Sequence, residues 1–251
     1  MNLTENTIEA LIENSHSSPR QGQSATQPIK SVESVVGKLC ELAEEYTGKI
    51  VYSTGFGFEA QVIKHLIFSY DIPIRVFTID TGRLFPETIA LKQKIEEKYD
   101  KTIEVYHPNQ AEVTDLVGKK GLYSFYESVA NREECCFIRK VKPLQIALDG
   151  VACWITGIRA EQSAHRQQKM SQWEWNEKYQ LHKFHPLYHW TWAEIKEFIK
   201  VHDIPYNALH DRGYPSVGCQ PCTRAIKKGE DDRAGRWWWE TESSKECGLH
   251  K

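Results

Sequence analysis

Short β-like runs alternate with segments of helical length through the first two-thirds of the chain, and this alternation constrains the fold more than any other feature. Lys49-Ile-Val-Tyr-Ser53, Ile74-Arg-Val-Phe-Thr-Ile79 and Thr102-Ile-Glu-Val-Tyr106 are rich in β-branched and aromatic residues, and Ala152-Cys-Trp-Ile-Thr156 is a fourth such run. The stretches Glu59 to Tyr70 and Pro86 to Tyr99 have the length of crossover helices, and a helix containing Ile138 to Leu148 leads into the fourth run. Parallel strands need such crossovers, so the pattern predicts an α/β fold: a mainly parallel sheet with flanking helices.

The 251 residues fit one large domain with extensions. Residues 1–30 include a Ser/Gln/Pro-rich stretch from Asn14 to Lys30 without periodicity, and read as a flexible N-terminal arm. Val32, Val35, Val36, Leu39, Ala43 and Tyr46 then recur at helical spacing, which predicts an amphipathic helix with Ser31 as N-cap. Cys40 sits beside that stripe and Cys153 inside the fourth run; both read as small core residues. Thr191-Trp-Ala-Glu194 is a capping box opening a helix to about His202. The packed α/β body is expected over residues 31–236 and a C-terminal tail over 237–251, with Trp237-Trp238-Trp239 needing a surface to pack against. No internal repeat is present.

A balance of 32 Lys+Arg against 34 Asp+Glu gives no electrostatic footprint for nucleic acid. No apolar run approaches the ~18 residues of a membrane span. The expected location is the cytoplasm, with neither nucleic acid nor membrane as partner; a homo-oligomer is compatible with the sequence, which does not decide it.

Open α/β sheets bind ligands beyond the carboxyl ends of their strands, near a topological switch point. Three of the four runs end in small, polar, turn-forming residues. Ser53-Thr54-Gly55-Phe56-Gly57 leads into a helix, where glycines admit a close ligand and amides favour an anion. It lacks the Lys of a Walker A loop and the spacing of G-x-G-x-x-G, so a plain tight turn fits equally well. Asp80-Thr81-Gly82 follows the second run and reads by itself as a turn before Pro86. Gly157 follows the fourth and opens a segment whose Arg159 and Arg166 either clamp an oxyanion or are simply solvated. Further cations are Arg224, Arg233 and Arg236, and Lys140 in the basic run Arg139-Lys140-Val-Lys142. If Cys136 starts a helix, Lys140 lies about one turn along the same face.

Five of the seven cysteines form one arrangement: Cys135-Cys136, Cys219-Gln-Pro-Cys222, and Cys247 near the end. Structural zinc is usually held by two C-x₂₋₄-C knuckles, and adjacent cysteines converge poorly on a single ion. A cubane iron–sulfur cluster has four separate iron corners, so neighbouring thiolates can each take one. A 4Fe–4S cluster is the better fit, with zinc the alternative. A disulfide framework fits worse: the cysteine number is odd, the chain is long enough for a core, and no cleavable hydrophobic leader is expected. Cys247 lies in a polar tail with Lys245 and His250 near enough in sequence to lower its pKa, and reads as a nucleophile or a stray thiol. His182, His185 and His189 have metal-like spacing, but Pro186 breaks any shared helix, and no metal site is expected there.

The loop Ser53–Gly57, Asp80-Thr-Gly-x-Leu-Phe-Pro-Glu-Thr88, Cys135-Cys136-x-x-Arg-Lys140, Thr156-Gly-x-Arg-x-x-Gln-Ser163, Cys219-x-x-Cys222-Thr-Arg224, Arg233-Ala-Gly-Arg-Trp-Trp-Trp239 and Glu246-Cys-Gly-Leu-His250 share an order and spacing. In these the chain resembles the assimilatory adenylyl-sulfate (APS) reductases of bacterial type, within the adenylyl-sulfate/phosphoadenylyl-sulfate reductase family. The resemblance implies a nucleotide pyrophosphatase-like fold, also called adenine nucleotide α-hydrolase-like. It implies a thioredoxin-dependent oxidoreductase that reduces APS to sulfite and AMP in sulfate assimilation and cysteine biosynthesis, with thioredoxin or glutaredoxin as reductant. It implies a 4Fe–4S cluster on Cys135, Cys136, Cys219 and Cys222, and Cys247 as the nucleophile that becomes S-sulfocysteine. The phosphosulfate would be held by Lys140, Arg233 and Arg236, and the nucleotide by Ser53, Thr54, Gly55, Gly57, Asp80, Thr81, Gly82 and Gly157; Arg166 and His250 are further carry-overs. Glu59-Ala60 departs from the two acidic residues expected in many relatives. The rival readings are a phosphoadenylyl-sulfate or dual-substrate reductase, a zinc-stabilised binding module, and an ATP pyrophosphatase-type adenylating enzyme, whose Ser-Gly-Gly-x-Asp-Ser loop is not matched by Ser53–Gly57.

Overall fold

The computed structural model describes residues 29–162 and 164–241, apart from the side chains of residues 164–166. Its centre is a six-stranded sheet in the order β3-β2-β1-β4-β6-β5. The strands are β1 (Ile50–Ser53), β2 (Arg75–Ile79), β3 (Glu104–Tyr106), β4 (Cys153–Ile155), β5 (Trp173–Asn176) and β6 (Leu181–Phe184). All pairings are parallel except β5 with β6. The four runs read from sequence are β1 to β4. The antiparallel pair β5–β6 was not foreseen, because its side chains alternate charged with aromatic and His182 in β6 suggested a motif rather than a strand.

Helices cover both faces. The first, α1 (Val32–Glu45), starts at Ser31, whose hydroxyl accepts from Ser34 N, and buries Val35, Val36, Leu39, Leu42 and Ala43. It packs with α2 (Phe58–Ser69) and α8 (Trp192–Val201) into the larger core, beside β1 and β4. The capping box on α8 is complete: Thr191 and Glu194 each accept from the other's backbone N–H. The crossover from β2 to β3 is α3 (Pro86–Tyr99), with proline in its first turn, and α4 (Gln110–Lys120) follows β3. On the opposite face Val51, Phe77, Leu144, Ala147, Leu148, Trp154 and Leu181 form a second cluster. Cys153 is fully buried on β4, which pushes its thiol up to about 12.

Between β3 and β4 the chain forms α5 (Val129–Cys136), a π-helical turn over Phe137–Val141, and α6 (Lys142–Ala147). Pro143 explains the wide turn: it offers no N–H to the carbonyl of residue 139 and its ring crowds that carbonyl. Cys136 therefore ends a helix instead of starting one, contrary to the condition on which Lys140 was placed from sequence. After β4 comes the short helix α7 (Ala164–Lys169).

At the boundaries, Ile29 exchanges hydrogen bonds with the Gln172 side chain and Lys30 pairs with Glu194, so the end of the expected arm is held to the body. Trp237 and Glu240, grouped from sequence with the tail, are likewise packed: Trp237 is buried and its N–H donates to the Cys222 carbonyl. Arg132 makes a bidentate pair with Glu240, at 2.8 and 2.9 Å, with both side chains almost fully buried.

Candidate active site

The sheet order reverses direction between β1 and β4, which run side by side and parallel at the centre. Their carboxyl ends open a cavity of about 310 Å³, and the loops that follow them line it. The first loop is built tightly. Thr54 N donates to Phe77 O, Thr78 Oγ1 to Thr54 O, and Phe56 N to Thr54 Oγ1. Phe56 adopts φ 60°, a strained choice for an aromatic residue, and buries its ring beneath Lys64 Nζ at 4.0 Å from the ring centroid. The turn brings Ser53, Thr54, Gly55 and Gly57 to the cavity wall at the start of α2.

Gly157 ends β4 against this loop. A Cβ there would sit 3.4 Å from Glu59 Cβ, so glycine lets the first and fourth loops close on each other. Glu59 is held by Arg159 Nε at 2.8 Å and Gln162 Nε2 at 2.9 Å. Arg159 is 4 % exposed and also pairs with Glu161 and the Trp190 carbonyl. It is thus neither an oxyanion clamp nor a solvated arginine, but the tie between the two loops.

The far end of the cavity is cationic, lined by Lys140, Arg233 and Arg236. Arg236 lies over Trp237 and donates to Ser216 Oγ and Val217 O. It crosses Gly218 so closely that any Cβ at that position would overlap its guanidinium. Lys140 also lines a second, much smaller cavity, about 10 Å³, whose wall contains Cys135, Cys136, Cys219 and Cys222. Residues distant in sequence thus bring all four cysteines together, next to the cationic end.

The cysteine cavity is walled by Arg83, Arg132, Arg139 and Phe125 as well. Thr81 Oγ1 lies 3.2 Å from Cys219 Sγ, and Arg139 donates to Thr81 O at 2.7 Å. Burial pushes the Cys219 thiol up, but Lys140, the Thr81 hydroxyl, Arg236 and Arg83 outweigh it and hold the thiol below its ordinary value. Cys135 is raised, first by burial, and Cys222 is pushed up to about 12 by burial and by the neighbouring cysteines. Four thiols this close resist joint ionisation unless a cation compensates them. Arg83 Nη1 is buried and has no hydrogen-bond partner, as a donor facing a missing anionic group would be. Among the described residues no three His, Cys, Asp or Glu are grouped to hold one metal ion.

Other residues singled out from sequence fall elsewhere. Thr81 lines the main cavity, but Asp80 and Gly82 are not on its wall; Asp80 Oδ1 accepts from Gly82 N and shapes the turn that delivers Thr81 to Cys219. Arg224 pairs with Glu230. His182 packs between Trp173 and Trp175. The Arg166 side chain, Cys247 and His250 lie outside the described residues.

A family model described as the phosphoadenosine phosphosulfate reductase domain matches residues 49–225. The chain belongs to this family. Among curated relatives, the adenosine 5'-phosphosulfate reductase of Allochromatium vinosum is 44% identical over 232 residues, covering 92% of this chain and 90% of the relative. That of Rhizobium meliloti is 48% identical over 216 residues, covering 86% and 81%. In structure, the phosphoadenylyl-sulfate reductase of Candida auris superimposes with a TM-score of 0.63 at 26% identity, covering 90% of this chain and 99% of that one. The FMN adenylyltransferase of Candida glabrata shares the fold, with a TM-score of 0.50 at 15% identity, covering 89% and 81%.

For this reductase-family chain, several site residues escaped sequence reasoning. Arg83, Arg132 and Arg139 wall the cysteine cavity, and Thr156, Gln162 and Glu59 line the larger one. Arg139 was given no role of its own from sequence, and the packing against Thr81 and Cys135 reveals its burial. No helix of the described residues is long and apolar enough to cross a membrane.

Proposed function

We propose that this protein is an adenylyl-sulfate reductase, converting APS to sulfite and AMP. The observation that carries the reading is Lys140: one cation lines both the cavity at the β1/β4 switch point and the cavity of the four cysteines. The nucleotide would lie along Ser53–Gly57 and Gly157, with its phosphosulfate toward Lys140, Arg233 and Arg236. Thr81 would join the two cavities, and Asp80 and Gly82 would act through the turn. Cys135, Cys136, Cys219 and Cys222 would hold a 4Fe–4S cluster. When bound, that group would keep the four cysteines as thiolates and add fixed negative charge beside Lys140.

Chemistry falls to Cys247. Its thiolate attacks the sulfur of APS; an S–S bond forms, the S–O bond to the phosphate breaks, and AMP leaves with the electron pair. Lys140, Arg233 and Arg236 offset the negative charge that repels the incoming thiolate. Arg166 and His250 would assist at the same end. A dithiol reductant, thioredoxin or glutaredoxin, then attacks Cys247 Sγ and releases sulfite. Its second thiol breaks the mixed disulfide, leaving an oxidised reductant and a regenerated Cys247 thiolate. The cytoplasm, which keeps thiols reduced, is the fitting compartment.

The test uses anaerobically purified protein. Iron and a cluster absorbance are expected, and APS without reductant should release stoichiometric AMP and leave a sulfite adduct on Cys247. Full turnover by Cys247→Ser, or a colourless iron-free protein, would overturn the reading. The name of the Candida auris relative favours 3′-phosphoadenylyl sulfate as the second reading, and the ratio of kcat/KM for the two nucleotides decides between them.

A further inference from the structure

Between α4 and α5 the chain makes a short 3-10 turn, Ser124–Tyr126, that carries Tyr123 and Tyr126 outward. Leu122, Tyr123, Tyr126 and Trp238 are 39 to 60 % exposed, too much for a packed core, and neither cavity wall includes them. Their rings are contiguous: that of Tyr126 lies 6.3 Å from Tyr123 and 6.5 Å from Trp238. The patch is the outer side of the cysteine end, because Phe125, between the two tyrosines, turns inward and walls the cysteine cavity.

This surface is firmly mounted. Tyr126 Oη donates to Pro221 O at 2.6 Å and its ring meets Trp239 edge-on at 4.4 Å, while Arg83 Nη2 donates to Leu122 O at 2.7 Å. Aromatic side chains held in this way lose little entropy on binding and are enriched at protein contacts. The cations just before the patch in sequence are already paired, Lys119 with Asp115 and Lys120 with Glu134. The surface therefore offers a partner apolar area more than charge.

Where the chain goes next indicates the occupant. Trp238 lies three residues before Thr241, and Cys247 six residues beyond it. At about 3.5 Å per residue, Cys247 stays within about 21 Å of Thr241 whatever path the chain takes. A protein that attacks Cys247 Sγ must therefore rest on the surface around Trp238 and Thr241. The tail is a poor cover for the patch, since residues 242–251 carry one aliphatic side chain, Leu249. We propose that Leu122, Tyr123, Tyr126 and Trp238 form the docking surface for the dithiol reductant, a protein that presents an apolar face beside its reactive thiol. This rests on the adenylyl-sulfate reading and deepens it, by adding the surface that receives the partner once AMP has left.

The two half-reactions separate docking from chemistry. Full-length protein is loaded with APS while AMP release is followed, and the Cys247 adduct is then resolved by thioredoxin or glutaredoxin, whichever acts on the wild type. Sulfite release gives the second-order rate constant. Combining Tyr123→Ser with Trp238→Ser should lower that constant about tenfold and leave AMP release unchanged. Dithiothreitol, too small to need a docking surface, should resolve wild-type and variant adducts equally. Tyr123→Ser alone should lose about threefold, which keeps the proposal testable if the double variant fails to fold, and Tyr123→Phe should keep the wild-type rate. An unchanged rate constant with the protein reductant overturns the proposal, as does an equal loss with dithiothreitol or in AMP release. A smaller assembly in the double variant, read by light scattering, would assign the patch to a second copy instead. Absence of AMP release or of a Cys247 adduct in the wild type, or a wild-type adduct that neither protein resolves, would overturn the underlying reductase reading.

Discussion

The two ends of the cavity are built by different means. At the β1/β4 end the wall is loop backbone and small side chains, placed by parallel strands and the start of α2. At the cysteine end no strand among the described residues contributes. There α5, the π-helical turn, the Cys219–Cys222 loop and Trp237–Glu240 are joined by arginines, aromatic rings and one buried ion pair. The first end inherits its geometry from regular secondary structure, which many sequences can specify. The second depends on a few charged contacts, so it should be both more easily broken and more sensitive to single substitutions.

Glu240→Ala probes that contrast most severely. It leaves Arg132 buried without its carboxylate, and should cost about 3–5 kcal/mol in denaturant unfolding while loosening the cysteine cavity. A loss under about 1 kcal/mol would mean that the cysteine end does not rest on this pair. Lys140→Ala, at the junction of the two ends, should lower kcat/KM for APS about 10²–10³-fold with a much smaller loss of AMP affinity. An equal loss for AMP would assign the lysine to the nucleotide phosphate instead of the sulfate.

Acid should reach the β5–β6 edge through Glu174. Its carboxyl is held at about 2 in the folded chain against an ordinary value of 4.5, by His185 and Lys183. A depressed folded value stabilises the protein above the unfolded pKa, and this contribution drains away as pH falls from about 5 toward 2. The expected loss is roughly 2 kcal/mol, and Glu174→Gln should flatten that part of the stability profile. The smallest effect belongs to the regular half. Ser31→Ala removes the cap on α1 and should cost about 1 kcal/mol with no change in the cysteine site. If it cost as much as Glu240→Ala, the contrast between the ends would fail.

Local chemistry made the regular half legible. The strands β1 to β4, the Ser31 cap and the Thr191–Glu194 box each follow from neighbouring residues, so their elements could be read before any contact was known. The edge pair β5–β6 was not, because Trp173, Glu174 and Trp175 lie on a strand whose partner lies beyond a turn, and a burial pattern of alternating half-exposed residues carries little apolar signal. Arg159 was misjudged for a related reason: an arginine looks solvent-bound in sequence, and only a partner such as Glu59 makes its burial tolerable.

From the sequence alone came the α/β alternation, the spacing of the cysteines and the family resemblance, since each rests on residue order and local propensity. That Cys135, Cys136, Cys219 and Cys222 wall one cavity and that Lys140 touches both cavities were decided by the tertiary structure. Charge compensation and hydrogen-bond polarity depend on distances between segments far apart in the chain, and folding alone sets those distances.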